Sequence, residues 1–254
     1  MTVTKQKLIR EARSKSGQLQ IRPPRGKGTD YVYLALRSMI VRLELAPGQK
    51  IDDSAIADML GVSRTPVREA ILRLSADKLV AILPNRGAQV APLNALELTS
   101  YFEALELTHR ALQHWACLRR SEKDLAKIDS ARVAYENAVS IADPVAMSEG
   151  NLDFHRAIAD ASGNRMFDDF VMKLSVLGMR IGWIWYRDVA EGSHEKEAAR
   201  TVAEHRQIAA AIRNRAVEEA ERLASVHIGA FRDQVFAKLS LTLGGAVPIS
   251  YRAT

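Results

Sequence analysis

Two groups of side chains in this sequence have the types and spacing to do chemistry. The first is "GVSRTPVREA", Gly61 to Ala70, which sets Arg64 and Arg68 four residues apart. On a helix that spacing puts both guanidinium groups on one face, and arginine is the side chain best matched to O6 and N7 of guanine in a DNA major groove. The second group is drawn from six histidines, His109, His114, His155, His194, His205 and His227. Three of these lie on apolar stripes: His155 with Leu152, Ile158 and Ala159, His205 with Ile208, Ala209 and Ile212, and His227 with Leu223, Val226 and Ala230. Asn151 precedes His155 by one helical turn. Three inward imidazoles and an amide oxygen could converge on one divalent ion, with positions left for water or an anion. The alternative is three separate core histidines, each satisfied by its neighbours.

The elements that must position the arginines can be read from the flanking residues. "YVYLALRSMIVRLEL" has helical apolar spacing at Leu36, Met39, Ile40 and Leu43, and Pro47-Gly48 breaks it. "DSAIADMLG" predicts a second helix with Ile56, Met59 and Leu60 inward, stopped by Gly61. Ser63 is placed to cap a third helix. Pro66 then falls in the first turn, where its missing N–H has no intrahelical partner to lose. Thr65 lies beside the arginines, at a helix end attractive to phosphate. Two short helices joined by a tight turn describe a helix-turn-helix; the alternative is a solvated charged face on an ordinary helical hairpin. "LVAILPNRGAQVAPL" follows, with two β-prone pieces around "PNRG", so a hairpin with Arg86 and Gly87 near its tip is expected. A helix-turn-helix with such a hairpin is a winged helix.

The histidines need a different frame. Residues 95–239 are helical in pattern almost throughout, with short connections, and predict a bundle of six or seven helices. Ser121 and Asp124 form a capping-box start. Asp143-Pro144 is an N-cap with proline at the first helical position, and Gly163 ends the next helix. The midpoint between His205 and His227 is Ala216, in "NRAVEE". Two antiparallel helices turning there would bring both rings to one depth. The expected fold class is therefore mainly α: an N-terminal winged helix-turn-helix over 29–93, then an all-α bundle over 95–239.

Bulk properties agree. The chain has 254 residues, room for two domains. The formal net charge is +6, but residues 1–28 hold eight basic side chains against Glu11 alone. The remainder is close to neutral, so the basicity belongs to an arm expected to be disordered, either a solubilising extension or an aid to phosphate attraction. The tail 240–254 is expected to be disordered as well. No stretch of about 18 apolar residues is present, so no membrane span is expected. The single cysteine, Cys117, and the lack of a signal-peptide core fit a reducing cytoplasm.

With "PGQKI", "IADMLGVSRTPVREAILRLSADKLV" and "PNRGAQV", residues 30–92 resemble the DNA-binding domain of GntR-type bacterial transcription regulators. Many relatives carry an arginine where this chain has Ser54. "NLDFHRAIADASGN", "AEHRQIAAAI" and "VHIGAF" resemble the effector-binding helical domain of the FadR-type branch. The resemblance implies DNA contacts from Ser63, Arg64, Thr65, Arg68, Arg86 and Gly87. It also implies a divalent ion, of the zinc, nickel or manganese kind, on Asn151, His155, His205 and His227. In relatives, the helix corresponding to 101–117 carries pocket residues; the matching positions here are Leu105 and His109, with Arg110 adjacent. In "MRIGWIWYRD", Arg180 and Trp183 stand three apart and could line a pocket for a carboxylate with an apolar body, with core packing as the alternative. Trp185 cannot share a helix face with Trp183. The function implied is a regulator, repressor in type, that binds a palindromic double-stranded DNA operator as a homodimer and responds to a small carboxylic acid. A metal-dependent enzyme using the three histidines is the competing reading, but no Asp or Glu stands out by spacing as a general base.

Overall fold

The structure is a computed structural model, and it describes residues 28–84, 86–92, 95–193 and 195–242. The basic arm up to Lys27 and the tail beyond Thr242 lie outside the described residues. The chain forms two compact units, one on either side of Pro92.

The first unit opens with α1 (Gly28–Val41), which buries Val32, Leu36, Ile40 and Val41. After the turn at Gly48 comes β1 (Lys50–Ile51), then α2 (Asp53–Leu60), α3 (Arg64–Ala76), β2 (Val80–Leu83) and β3 (Gly87–Val90). The Asp52 carboxylate caps α2 by accepting from the Ser54 and Ala55 amides at 2.8 and 3.2 Å. Gly61 ends α2 in the left-handed region, φ 65°, which a side chain would resist. Ile56 and Leu60 face inward as the spacing predicts, but Met59 is 47% exposed: α2 is only two turns long and buries a narrow strip completed by Ala57. The hairpin pairs β2 with β3 in antiparallel register, Val80↔Val90 to Leu83↔Gly87. β1 adds to the far side of β3, giving the order β1-β3-β2. This is the winged helix-turn-helix. α1 is fastened to α3 by polar contacts at both ends. Tyr33 donates to Asp77 at 2.6 Å, the Arg73 guanidinium lies 4.4 Å from the Tyr33 ring centre, and Thr29 donates to Glu69 at 2.5 Å. Their joint effect is to fix the angle at which α3 leaves the core.

The second unit is all helical among the described residues: α4 (Ala95–Arg119), α5 (Glu122–Ser140), α6 (Pro144–Ser162), a 3₁₀ turn (Arg165–Phe167), α7 (Asp168–Ala190), α8 (Glu195–Arg213) and α9 (Val217–Thr242). α9 therefore runs three residues past the expected boundary at 239. The Ser121–Asp124 capping box forms, Asp143 caps α6 ahead of Pro144, and Gly163 ends it at φ 63°. The turn between α8 and α9 is stapled to α4. Arg215 donates to the Cys117 and Leu118 carbonyls, both at 2.8 Å, and so satisfies acceptors that a helix end leaves open. α5 and α6 approach closely at Gly150, where an added Cβ would lie 3.0 Å from the Tyr135 Cα. That approach sets the depth of α6, the helix that carries His155. The main apolar core, with Ile128, Phe154, Ile158, Ile208 and Ile212, holds α5, α6 and α8 together beneath the histidines.

Candidate functional site

In the first unit, Val67, Ala70, Ile71 and Leu74 anchor α3 in the core and leave Ser63, Arg64, Thr65 and Arg68 exposed on one surface. Ser63 sits at the N-cap position with extended backbone, φ −77° and ψ 167°, but its hydroxyl makes no capping bond. The reason is local. A cap serine reaches the amide two or three residues on, and the third residue here is Pro66, which has none. Both arginines bind one carboxylate. Arg64 Nη2 lies 2.9 and 3.1 Å from the two Asp53 oxygens, and Arg68 Nε lies 2.7 Å from Oδ2. The Arg68 bond, with Arg64 behind it, holds the Asp53 carboxyl below its ordinary value. At the wing, the Arg86 amide donates to the Leu83 carbonyl at 3.1 Å, and Gly87 takes φ 81°. Arg86 and Gly87 are both exposed.

In the second unit, α6, α8 and α9 bring His155, His205 and His227 together, with one ligand nitrogen from each within 4.8 Å of the others. His227 Nδ1 lies 2.8 Å from Glu204 Oε2. A carboxylate can only accept, so His227 donates from Nδ1, and Nε2 is the nitrogen turned towards the cluster. That Nε2 is 3.3 Å from His155 Nε2. Two nitrogens bound to a tetrahedral zinc at about 2.0–2.1 Å would stand roughly 3.3–3.4 Å apart. Both His205 nitrogens and His155 Nδ1 are buried without a hydrogen-bond partner in the protein. Phe154 stacks on the His205 ring at 4.2 Å between centres, which fixes its plane. The donor set fits a divalent ion: three imidazoles, orphaned ring nitrogens among them, and a carboxylate orienting one ring from behind. His205 completes the set with a ligand nitrogen within 4.8 Å of the other two.

Burial, reinforced by the neighbouring histidines, holds His155 and His205 well below the usual imidazole range, and burial brings His109 down to about 3. Neutral imidazole is the form that binds metal. It also makes the metal-free protein sensitive to acid. In the unfolded chain these rings titrate near 6.5, so below that pH the unfolded state holds more protons than the folded one. The stability is fully present above about pH 6.5. It is lost as pH falls towards the depressed folded values, by roughly 1.4 kcal/mol per pH unit for each histidine. Chelator-treated protein should therefore hold its melting temperature down to about pH 6.5 and melt at progressively lower temperature from there to about pH 5. A flat melting temperature across that range would mean that these rings are not buried and neutral.

The cluster opens onto a cavity of about 80 Å³. Asn151, His155 and His227 line it, as does His109, whose ring centre is 4.6 Å from that of His155. The other expected effector residues lie elsewhere. Arg110 is directed to Glu221 at 3.2 Å. Arg180 is 1% exposed and does not line the cavity, burial drawing its guanidinium down to about 10. Trp183 is likewise absent from the wall, and Trp185 takes its place. The cause is helical phase: Ser175, Gly178, Met179, Trp185 and Tyr186 of α7 share the cavity face, and Arg180 and Trp183 fall roughly 100° or more from its centre. The sequence reading missed Arg200, a cavity cation 3.4 Å from Glu204, and missed Glu204 itself. Their spacing of four along α8 was the available signal.

A winged helix-turn-helix followed by an all-helical domain, with a cavity beside a cluster of histidines, defines the class of protein to compare with known families. The profile of bacterial regulatory proteins of the gntR family matches residues 29–90, and that of the FCD domain matches residues 110–230. The chain belongs to the GntR family, with an FCD domain, and is a transcription regulator. Relatives include the galactonate operon transcriptional repressor of Escherichia coli, 26% identical over 217 residues, which are 77% of this chain and 91% of that protein. The Uxu operon transcriptional regulator of the same organism is 28% identical over 59% of this chain and 61% of its own length. A regulator from an unstable DNA locus of Streptomyces ambofaciens is 40% identical over 79 residues, 34% of its length. Among solved structures, Escherichia coli McbR/YncC shares the fold with TM-score 0.69 at 20% identity, over 85% of this chain and 98% of that one. A GntR regulator from Rhodococcus sp. RHA1 does so with TM-score 0.67 at 22% identity, over 82% and 97%. The family identity places the three-histidine cluster in a regulator and not in an enzyme. Among the described residues, no helix is long and apolar enough to cross a membrane.

Proposed function

We propose that this protein is a cytoplasmic repressor that binds a palindromic operator as a homodimer, one half-site per subunit, with its DNA affinity set by a small carboxylic acid held beside a divalent ion. The observation that carries this reading is the three-histidine cluster opening onto a cavity whose wall also carries Arg200. His155, His205 and His227 would hold zinc, nickel or manganese, with the Asn151 amide oxygen as an uncharged fourth donor. An ion held there would offer open positions to a carboxylate oxygen. Glu204 keeps His227 in the tautomer that offers Nε2. Arg200 offers a cation for the acid, and Tyr186 and Phe231 give its apolar part a wall. At the reading head, Arg64 and Arg68 face base edges, Thr65 faces phosphate, and Arg86 and Gly87 bring the wing to the backbone. That relatives are named as repressors favours repression over activation.

Ligand control requires that the acid bind the DNA-competent and DNA-incompetent states with different affinity. Short carboxylic acids should be screened by thermal shift with metal-loaded and chelated protein, and each hit titrated into a complex with a duplex obtained by in vitro selection. At least one acid is expected to raise the melting temperature only when metal is present, and to change the DNA affinity. If no acid does either, the cavity is not an effector site.

A further inference from the structure

Residues 28–92 carry eight arginines and lysines against seven acids. A reading head of that composition has little general attraction for phosphate, and a substantial part of what it has comes from Arg64 and Arg68. Those two guanidinium groups share a single carboxylate. Asp53, in the first turn of α2, takes Arg64 on both oxygens and Arg68 Nε on Oδ2. The arginine side chains are 55% and 64% exposed, and that of Asp53 is 22% exposed. The pairing uses one edge of each guanidinium. Arg68 is bound through Nε alone, which leaves its two terminal nitrogens as a fork to donate outward.

We propose that Asp53 is a specificity-determining residue of the reading head: it latches Arg64 and Arg68 in the pose for base edges and keeps them from pairing with phosphate on non-cognate DNA. Exposed ion pairs of this kind are weak. A guanine edge can be met by the Arg68 terminal nitrogens with the pair still closed, whereas a phosphate that draws on the charge of either arginine must do so against the carboxylate already beside it. The carboxylate also repels nearby phosphates. On mixed-sequence DNA the two arginines would thus contribute less than their charge implies. The inference rests on the DNA-binding role of α3 and is independent of the metal and the acid.

The test compares the full-length wild type with Asp53→Asn, Asp53→Ala and Asp53→Glu. The probes are a mixed-sequence duplex and a duplex obtained by in vitro selection with the wild type. Fold is checked by melting temperature; Asp52 remains to cap α2 in every variant. Asp53→Asn and Asp53→Ala should bind the mixed-sequence duplex roughly three- to tenfold more tightly, with the log K against log salt slope steeper by up to about 0.9 for each arginine freed. Their preference for the selected duplex should fall, and Asp53→Glu should recover part of it. Unchanged mixed-sequence affinity and slope in folded variants would overturn the proposal. Parallel weakening on both duplexes would also overturn it, since it would make Asp53 a structural residue only. If the wild type itself shows no preference between the duplexes, the DNA-reading assignment fails and not merely the latch.

Discussion

Replacing His205 with alanine is expected to strip the helical domain of its divalent ion and lower the melting temperature by roughly 8–16 °C. His205 is the most enclosed of the three candidate ligands, at 0% exposure, and neither ring nitrogen has a protein partner. An ion held at a thousand times its dissociation constant stabilises the folded state by about 4 kcal/mol. For a chain of this size that corresponds to about 2–4 °C per kcal/mol. Two controls separate lost metal from lost packing. Chelation should lower the melting temperature of the wild type and leave that of His205→Ala almost unchanged. His114→Ala should keep full occupancy, because His114 is engaged with Glu221 at 2.8 Å away from the cluster. Asn151→Asp should hold metal more tightly than the wild type, since a carboxylate adds charge to a neutral donor set. Elemental analysis after metal reconstitution decides the matter: substoichiometric metal in the wild type, or equal metal in His205→Ala, would reduce these histidines to core packing.

The second large effect is expected at the reading head. Arg64→Ala and Arg68→Ala should each cost about 1–3 kcal/mol of discrimination, roughly five- to 150-fold in the preference for a selected duplex over mixed-sequence DNA. Both side chains leave one face of α3 within its first two turns, and the residues between and after them anchor that helix in the core. Competition binding at fixed salt measures the ratio directly. A variant weakened equally on both duplexes would show that its arginine meets only phosphate.

Features written in local periodicity could be read from the sequence. The apolar stripes beside His155, His205 and His227 were enough to expect three inward rings, and Ala216 midway between the last two was enough to expect those two at one depth. The capping residues Ser121, Asp143 and Gly163 marked their helix ends correctly. What could not be read depends on contacts distant in sequence. β1 is two residues long and exists because Lys50 and Ile51 meet Gln89 and Ala88; a pair of residues has no period. Glu204 adjoins His205 in sequence, so a helix turns it about 100° away, and only the packing of α9 against α8 brings it to His227. Arg180 and Trp183 were matched to each other and not to the helix opposite, and their phase placed them on the wrong face. The pairing of Arg64 and Arg68 with Asp53 spans 11 and 15 residues and depends on the angle of the helix-turn-helix.

The burial of His205 has a consequence for the lifetime of the bound state. Phe154 and Tyr135 pack against its ring, and an ion held there would have a way out past His155 and His227 through the cavity. An acid seated there would stand in the same exit. Effector and ion would then depart in a fixed order, the acid first, and while the acid stayed bound the ion could not be exchanged. A regulator built this way would hold its metal as a lasting component and sample the acid as a passing signal.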